Sequence, residues 1–108
     1  MDTTYHFAKT IRTNNIKNGI EKIYSYCIEK GDPYVWATVK IQSKKYYVVC
    51  EGWTKECLVG FKGLKDAHRS SLEQFRRMNL KHVKTVWKSF PGYSDGISID
   101  IFVKNDNR

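Results

Sequence analysis

Between Tyr34 and Phe75 the spacing of apolar residues passes from a period of two to a helical one, and that change limits the folds open to the chain. Three β-type runs separated by short polar turns, Tyr34–Ile41, Tyr46–Gly52 and Cys57–Phe61, lead into an amphipathic helix that begins near Leu64. In the first run Val35, Ala37, Val39 and Ile41 share one side of a pleat, and Tyr34, Trp36, Thr38 and Lys40 share the other, because successive strand residues point to opposite faces. Gln42-Ser43-Lys44-Lys45 is short and polar enough for a hairpin loop, and the run after it is again aromatic and β-branched. Gly52–Glu56 makes the next turn, and Gly60 suits a bulge in a short third strand over Cys57–Phe61. The helical stripe that follows is Leu64, Ala67, Ser71, Leu72, Phe75 and Met78, with Arg69, Arg76 and Arg77 off it.

The flanking segments are simpler. Tyr5–Ile11 has the alternation of a short N-terminal strand. Asn14 or Asn15 offers a side-chain oxygen to the free amides of a helix start, and Ile16, Ile20, Ile23, Cys27 and Ile28 form one stripe of that helix. Gly31 suits its C-terminal cap, and Asp32-Pro33 prevents continuation. After Asn79 two patterns compete: Leu80, Val83, Trp87 and Phe90 fit helical spacing, but Val83–Phe90 is β-rich and precedes the strong turn chemistry of Pro91–Gly96. A strand is preferred there. The last strand alternates Ile97, Ile99, Ile101 and Val103 with Ser98, Asp100, Phe102 and Lys104, and Asn105–Arg108 is a frayed tail. These elements predict an α+β fold: a mainly antiparallel sheet of about five strands with two amphipathic helices, in the order (β)αβββαββ, as a single domain over 1–108.

A chain of 108 residues, 41% apolar, with seven tyrosines, five phenylalanines and three tryptophans, can bury a core without staples. No run of about 18 apolar residues is present for a membrane span, and the N-terminus lacks the apolar core of a secretory signal. The cytoplasm is the expected location. Cys27, Cys50 and Cys57 are an odd set inside apolar patterns, which reads as reduced, buried thiols, and paired metal-ligand spacing is absent. No metal and no cofactor are expected.

Charge carries the functional reading. Lysine and arginine number 19 against 11 acids, a net +8. From Lys62 to Lys88 eight bases (Lys62, Lys65, Arg69, Arg76, Arg77, Lys81, Lys84 and Lys88) face two acids, Asp66 and Glu73, so a net +6 lies in one quarter of the chain. A clustered positive field attracts polyanions, and counterion release from phosphates is the main source of sequence-independent nucleic-acid affinity. The expected function is therefore non-catalytic binding of DNA or RNA. Arg69, Arg76, Arg77, Lys81, Lys84 and Lys88 are the candidate phosphate contacts, and Tyr34, Trp36 and Tyr47, beside Lys40, the candidate stacking residues. Two arrangements are open for those aromatics. If both helices cover the Val35/Val39 face they are free to stack; if a helix covers each face they belong to the core.

In its order of elements, Tyr34–Phe75 resembles small three-stranded DNA-binding domains. The opening Gly63-Leu64-Lys65-Asp66-Ala67-His68 also resembles the final helix of double-stranded-RNA-binding domains, in its basic residue before a small one. That second pattern has two adjacent lysines where this chain has one, Lys65, and neither family includes a hairpin like Val83–Val103, so no residue roles are carried over.

Two other functions are open. The bias toward Lys, Asn, Ile and Tyr is that of AT-rich genomes, as in a low-GC bacterium, its phages or mobile elements, and a small basic protein of such an element can dock on a host protein. The remaining option is a small ribonuclease, in which His6, His68 or His82 serves as general base and Arg69 or Arg77 stabilises the phosphorane, since an imidazole of pKa about 6.5 can accept a proton from a 2′-hydroxyl. Asp95, Asp100 and Asp106 lie too far apart along the chain to suggest a metal-nuclease site, and no Gly-rich phosphate loop or Ser nucleophile elbow is present.

Overall fold

The computed structural model describes residues 5–7 and 10–105 of the chain, with backbone only for His6 and Phe7. The elements are β1 (His6–Phe7), β2 (Ile11–Arg12), α1 (Ile16–Lys30), β3 (Val35–Ile41), β4 (Lys44–Gly52), a 3₁₀ turn (Lys55–Leu58), α2 (Leu64–Arg76), β5 (Leu80–Phe90) and β6 (Tyr93–Lys104). The class is α+β, with two helices and a mostly antiparallel sheet in the order β1-β3-β4-β6-β5; β2 also pairs with β3. β1 and β2 run parallel to β3, and α1 supplies the crossover that a parallel neighbour needs. Ala8, Lys9 and the tail 106–108, including Asp106, lie outside the described residues.

Local chemistry accounts for most boundaries. The side-chain oxygen of Asn15 accepts from the Asn18 amide at 2.9 Å and starts α1; Gly31 ends it in the left-handed conformation, φ 64°. The ambiguity after α2 is resolved at Asn79, whose φ of 63° is left-handed, a conformation asparagine tolerates better than most residues. That residue breaks the helical path and lets Leu80 start an edge strand. Pro91 and Gly92, the latter at φ 86°, close the β5–β6 hairpin.

The expected strand at Cys57–Phe61 is not a strand. Lys55–Leu58 winds into the 3₁₀ turn instead, and Gly60, at φ 91°, sits in the irregular segment before α2. Trp53 closes the end of β4: its N–H donates to Gly96 O, and its carbonyl oxygen accepts from Asp95 N–H. The place beside β4 that a third strand would take is occupied by β6. Without Cys57–Phe61, the three-strands-then-helix order behind the likeness to small DNA-binding domains is lost.

The helices cover opposite faces. Ile20, Ile23 and Cys27 of α1 pack on Val35, Ala37, Val39, Val48, Cys50, Ile97, Ile99 and Ile101. Phe75 of α2 packs on Val49, Leu80 and Phe102, with Trp36, Tyr47 and Leu72 at the margin. The sheet is thus the middle layer of three, and the side of β6 that carries Ser98, Asp100 and Phe102 is as buried as its isoleucine side. Ile28, at the end of the α1 stripe, and Met78, just past α2, remain exposed. No helix among the described residues is long and apolar enough to cross a membrane.

Candidate nucleic-acid interface

On the α2 face, strand register sets the side chains in rows. One row runs Thr38, Tyr47, Phe102, His82 across β3, β4, β6 and β5; the next includes Trp36, Val49, Asp100 and Thr85. Where α2 passes the edge strand β5 it leaves a groove of ≈ 320 Å³ at the end of the first row. Arg69, Leu72, Glu73 and Arg76 of α2 form one wall; Leu80, Lys81, His82, Phe102 and Asn105 form the other wall and the floor. Three cations face one acid there. Arg69 lies 3.5 Å from Asp66 and Arg76 3.7 Å from Glu73, both as exposed pairs one helical turn apart, which hold their guanidinium groups weakly.

The other sequence-derived candidates lie elsewhere. Lys84 and Lys88 are in register with Ile101 and Ile97, on the α1 side of the sheet, and Lys88 is paired with Glu21 of α1 at 2.8 Å above the Tyr24 ring. Lys81, opposite Val103, falls on that same side by register, because the bulge between His82 and Lys84 adds a residue and reverses the alternation; what sets Lys81 apart is its place at the start of β5, where it borders the groove. Arg77 is exposed at the C-terminal end of α2. Lys40 is half-buried beside β2, where it is in register with Arg12. Trp36 is half-buried against Phe75, ring centroids 5.9 Å apart, and Tyr34 is half-buried with its hydroxyl donating to Gly52 O at 3.1 Å. The aromatic side of the sheet is therefore the seat of α2. Tyr47, with Lys45 Nζ 5.2 Å from its ring centre, adjoins the groove through its register partner Phe102.

Beneath the groove lies a polar cluster that chain position conceals. Asp100, 4% exposed, accepts a hydrogen bond from the Thr85 hydroxyl and meets His68 Nε2 at 2.9 Å and His82 Nε2 at 3.1 Å. A buried carboxyl group needs such partners, and here helix α2 and strand β5 each bring an imidazole to it. His68 is buried with its ring 4.9 Å from that of Trp87; His82 is half-exposed against Phe102 and reaches the groove. The hydroxyl of Thr85 has a single proton, which it gives to Asp100, so its 2.9 Å contact with His82 Nε2 requires the proton on that nitrogen. This fixes the neutral ring with Nδ1 unprotonated. Among the described residues no three His, Cys, Asp or Glu side chains are placed to hold a metal ion.

Other titrating groups are shifted by their surroundings. Burial holds Glu51 above the usual carboxylate range, despite the 2.6 Å bond it accepts from the Ser71 hydroxyl. Burial likewise pushes the Tyr34 hydroxyl up to about 12. The Cys50 thiol is raised by its hydrogen bond with Cys27 and by burial; Cys27 and Cys50 are both buried and reduced, while Cys57 is partly exposed.

No protein-family model, curated protein or solved structure matches this chain.

Proposed function

We propose that the chain binds nucleic acid along the α2–β5 groove, with Arg69, Arg76 and Lys81 on phosphates and the Tyr47–Phe102–His82 row beneath the strand. The observation that carries this reading is the convergence of those three cations on one apolar-floored concavity, since a positive groove that tracks a backbone beside aromatic rings suits single strands in particular. Lys84 and Lys88, which lie farther along β5 and do not line the groove, do not take part.

The salt dependence of binding tests it quantitatively. Three phosphate contacts require affinity to fall about 20-fold for a single strand, or about 40-fold for a duplex, between about 50 and 200 mM salt. Arg69→Gln, Arg76→Gln or Lys81→Gln should each lower that slope by roughly one contact, and Lys84→Gln should leave it unchanged. Equal effects from Lys84→Gln and Arg76→Gln would reject the groove. The rival reading, docking on a host protein, draws on β5 as the last strand of the sheet, with Val83 49% and Trp87 42% exposed. It predicts a partner that persists after nuclease treatment and is lost in Trp87→Ser.

A further inference from the structure

We infer that the α2–β5 groove cleaves RNA, with His82 accepting the proton of the attacking 2′-hydroxyl. This rests on the nucleic-acid reading above and assigns it a substrate class. His82 combines three properties that a general base in a phosphate groove requires. Among the described residues its hydrogen bonds run through Nε2, to Asp100 and Thr85, so this network leaves the Nδ1 lone pair unspent. The ring is not sealed in the core, its side chain being 34% exposed, and it lines the same concavity as Arg69, Arg76 and Lys81. Asp100 behind it is itself fixed by His68 and Thr85, so the imidazole is held in one tautomer and one orientation.

The step is a transphosphorylation. Nδ1 of His82 takes the 2′-hydroxyl proton while the 2′-oxygen forms a bond to the adjacent phosphorus. The bond from phosphorus to the next nucleotide's 5′-oxygen breaks, and that oxygen leaves with the electron pair and is protonated by water. The imidazolium then returns its proton to the hydroxide so formed. The products are a 2′,3′-cyclic phosphate and a 5′-hydroxyl end, and no oxidant or reductant is consumed. Arg69 and Arg76 supply positive charge to the phosphorane, where charge accumulates. Asp100 is a positioning residue: it touches His82 and not the substrate.

The test uses the full chain, a 5′-labelled single-stranded RNA, the same sequence as DNA, and the DNA with a single ribonucleotide, all with chelator present. The expected result is cleavage of the RNA to a cyclic-phosphate end, cleavage of the mixed strand only at its ribonucleotide, and binding without cleavage of the DNA. His82→Ala, measured at saturating RNA so that any loss of affinity does not enter the rate, should slow cleavage at least about 100-fold, and added imidazole should restore part of the rate. Asp100→Asn should also slow cleavage, without rescue by imidazole, because the ring is present but wrongly held. RNA bound and left intact by the wild-type chain, or cut as fast by His82→Ala, overturns this inference and leaves the binding proposal standing. Absence of binding overturns both.

Discussion

Replacing Asp100 by alanine should destabilise the protein as much as emptying a large side chain from its core. The carboxyl group is 4% exposed and is the shared acceptor of His68, His82 and Thr85. On its removal His82 and Thr85 keep their mutual 2.9 Å bond, so most of the loss falls on buried His68, whose hydrogen-bond partner among the described residues vanishes while its ring stays packed between Trp53 and Trp87. A buried polar group left unpaired costs about 1–3 kcal/mol, and breaking a buried carboxyl–imidazole contact with loss of its shape brings the total to about 3–5 kcal/mol. For a domain of this size that is a fall in Tm of roughly 15–25 °C. Asp100→Asn keeps the shape and one acceptor oxygen, and should cost only about 1–2 kcal/mol. Urea denaturation followed by far-UV circular dichroism, with the slopes compared, measures both. A loss below about 1 kcal/mol for Asp100→Ala, or a greater loss for asparagine than for alanine, would refute the idea that this network holds α2 to β5.

Glu51 gives a pH signature of the opposite sign to an ordinary salt bridge. Its carboxyl is raised above 4.5 by burial, so its ionisation costs stability; that cost is absent below the unfolded value and complete above the folded one. Glu51→Gln should therefore be more stable than wild type at pH 7, with the gap closing as pH falls toward about 4, read from denaturation midpoints. Gly96→Ala should destabilise by at least about 2 kcal/mol, because φ is 79° there and an added Cβ would strike the Lys88 carbonyl oxygen across the hairpin. Phe102→Ala, which empties the centre of the α2-side core between Phe75 and His82, should cost about 3–5 kcal/mol by the same denaturation assay.

Much of the scaffold was legible from residue pattern alone. Alternation located β3, β4 and β6, and a stripe of isoleucines ending at Gly31 located α1, because these signals are local: each depends on side chains a few positions apart. The Cys57–Phe61 error has a local cause too. Four apolar residues around a glycine fit a short strand or a wound turn equally well, and pairing partners decided between them. The candidate site was legible only in part. Arg69, Arg76 and Lys81 were recognisable as a cluster of charge, but that Lys84 and Lys88 fall outside the groove depends on where α2 crosses β5 and, for Lys88, on Glu21 from a distant helix. Asp100, set aside for its distance from other acids, is the residue on which His68 and His82 converge.

Composition and periodicity by themselves determined the α+β class, the two helices and the concentration of positive charge after Lys62, since each is summed over neighbours in the chain. Only the tertiary structure decided that α1 and α2 take opposite faces of the sheet, and so that Trp36 is packed while a groove opens beside β5. It alone brought residues 68, 82 and 100 onto one buried carboxyl group. The physical reason is that hydrogen-bond satisfaction and apolar burial act between surfaces, and which surfaces meet is fixed by strand order and register rather than by any interval along the chain.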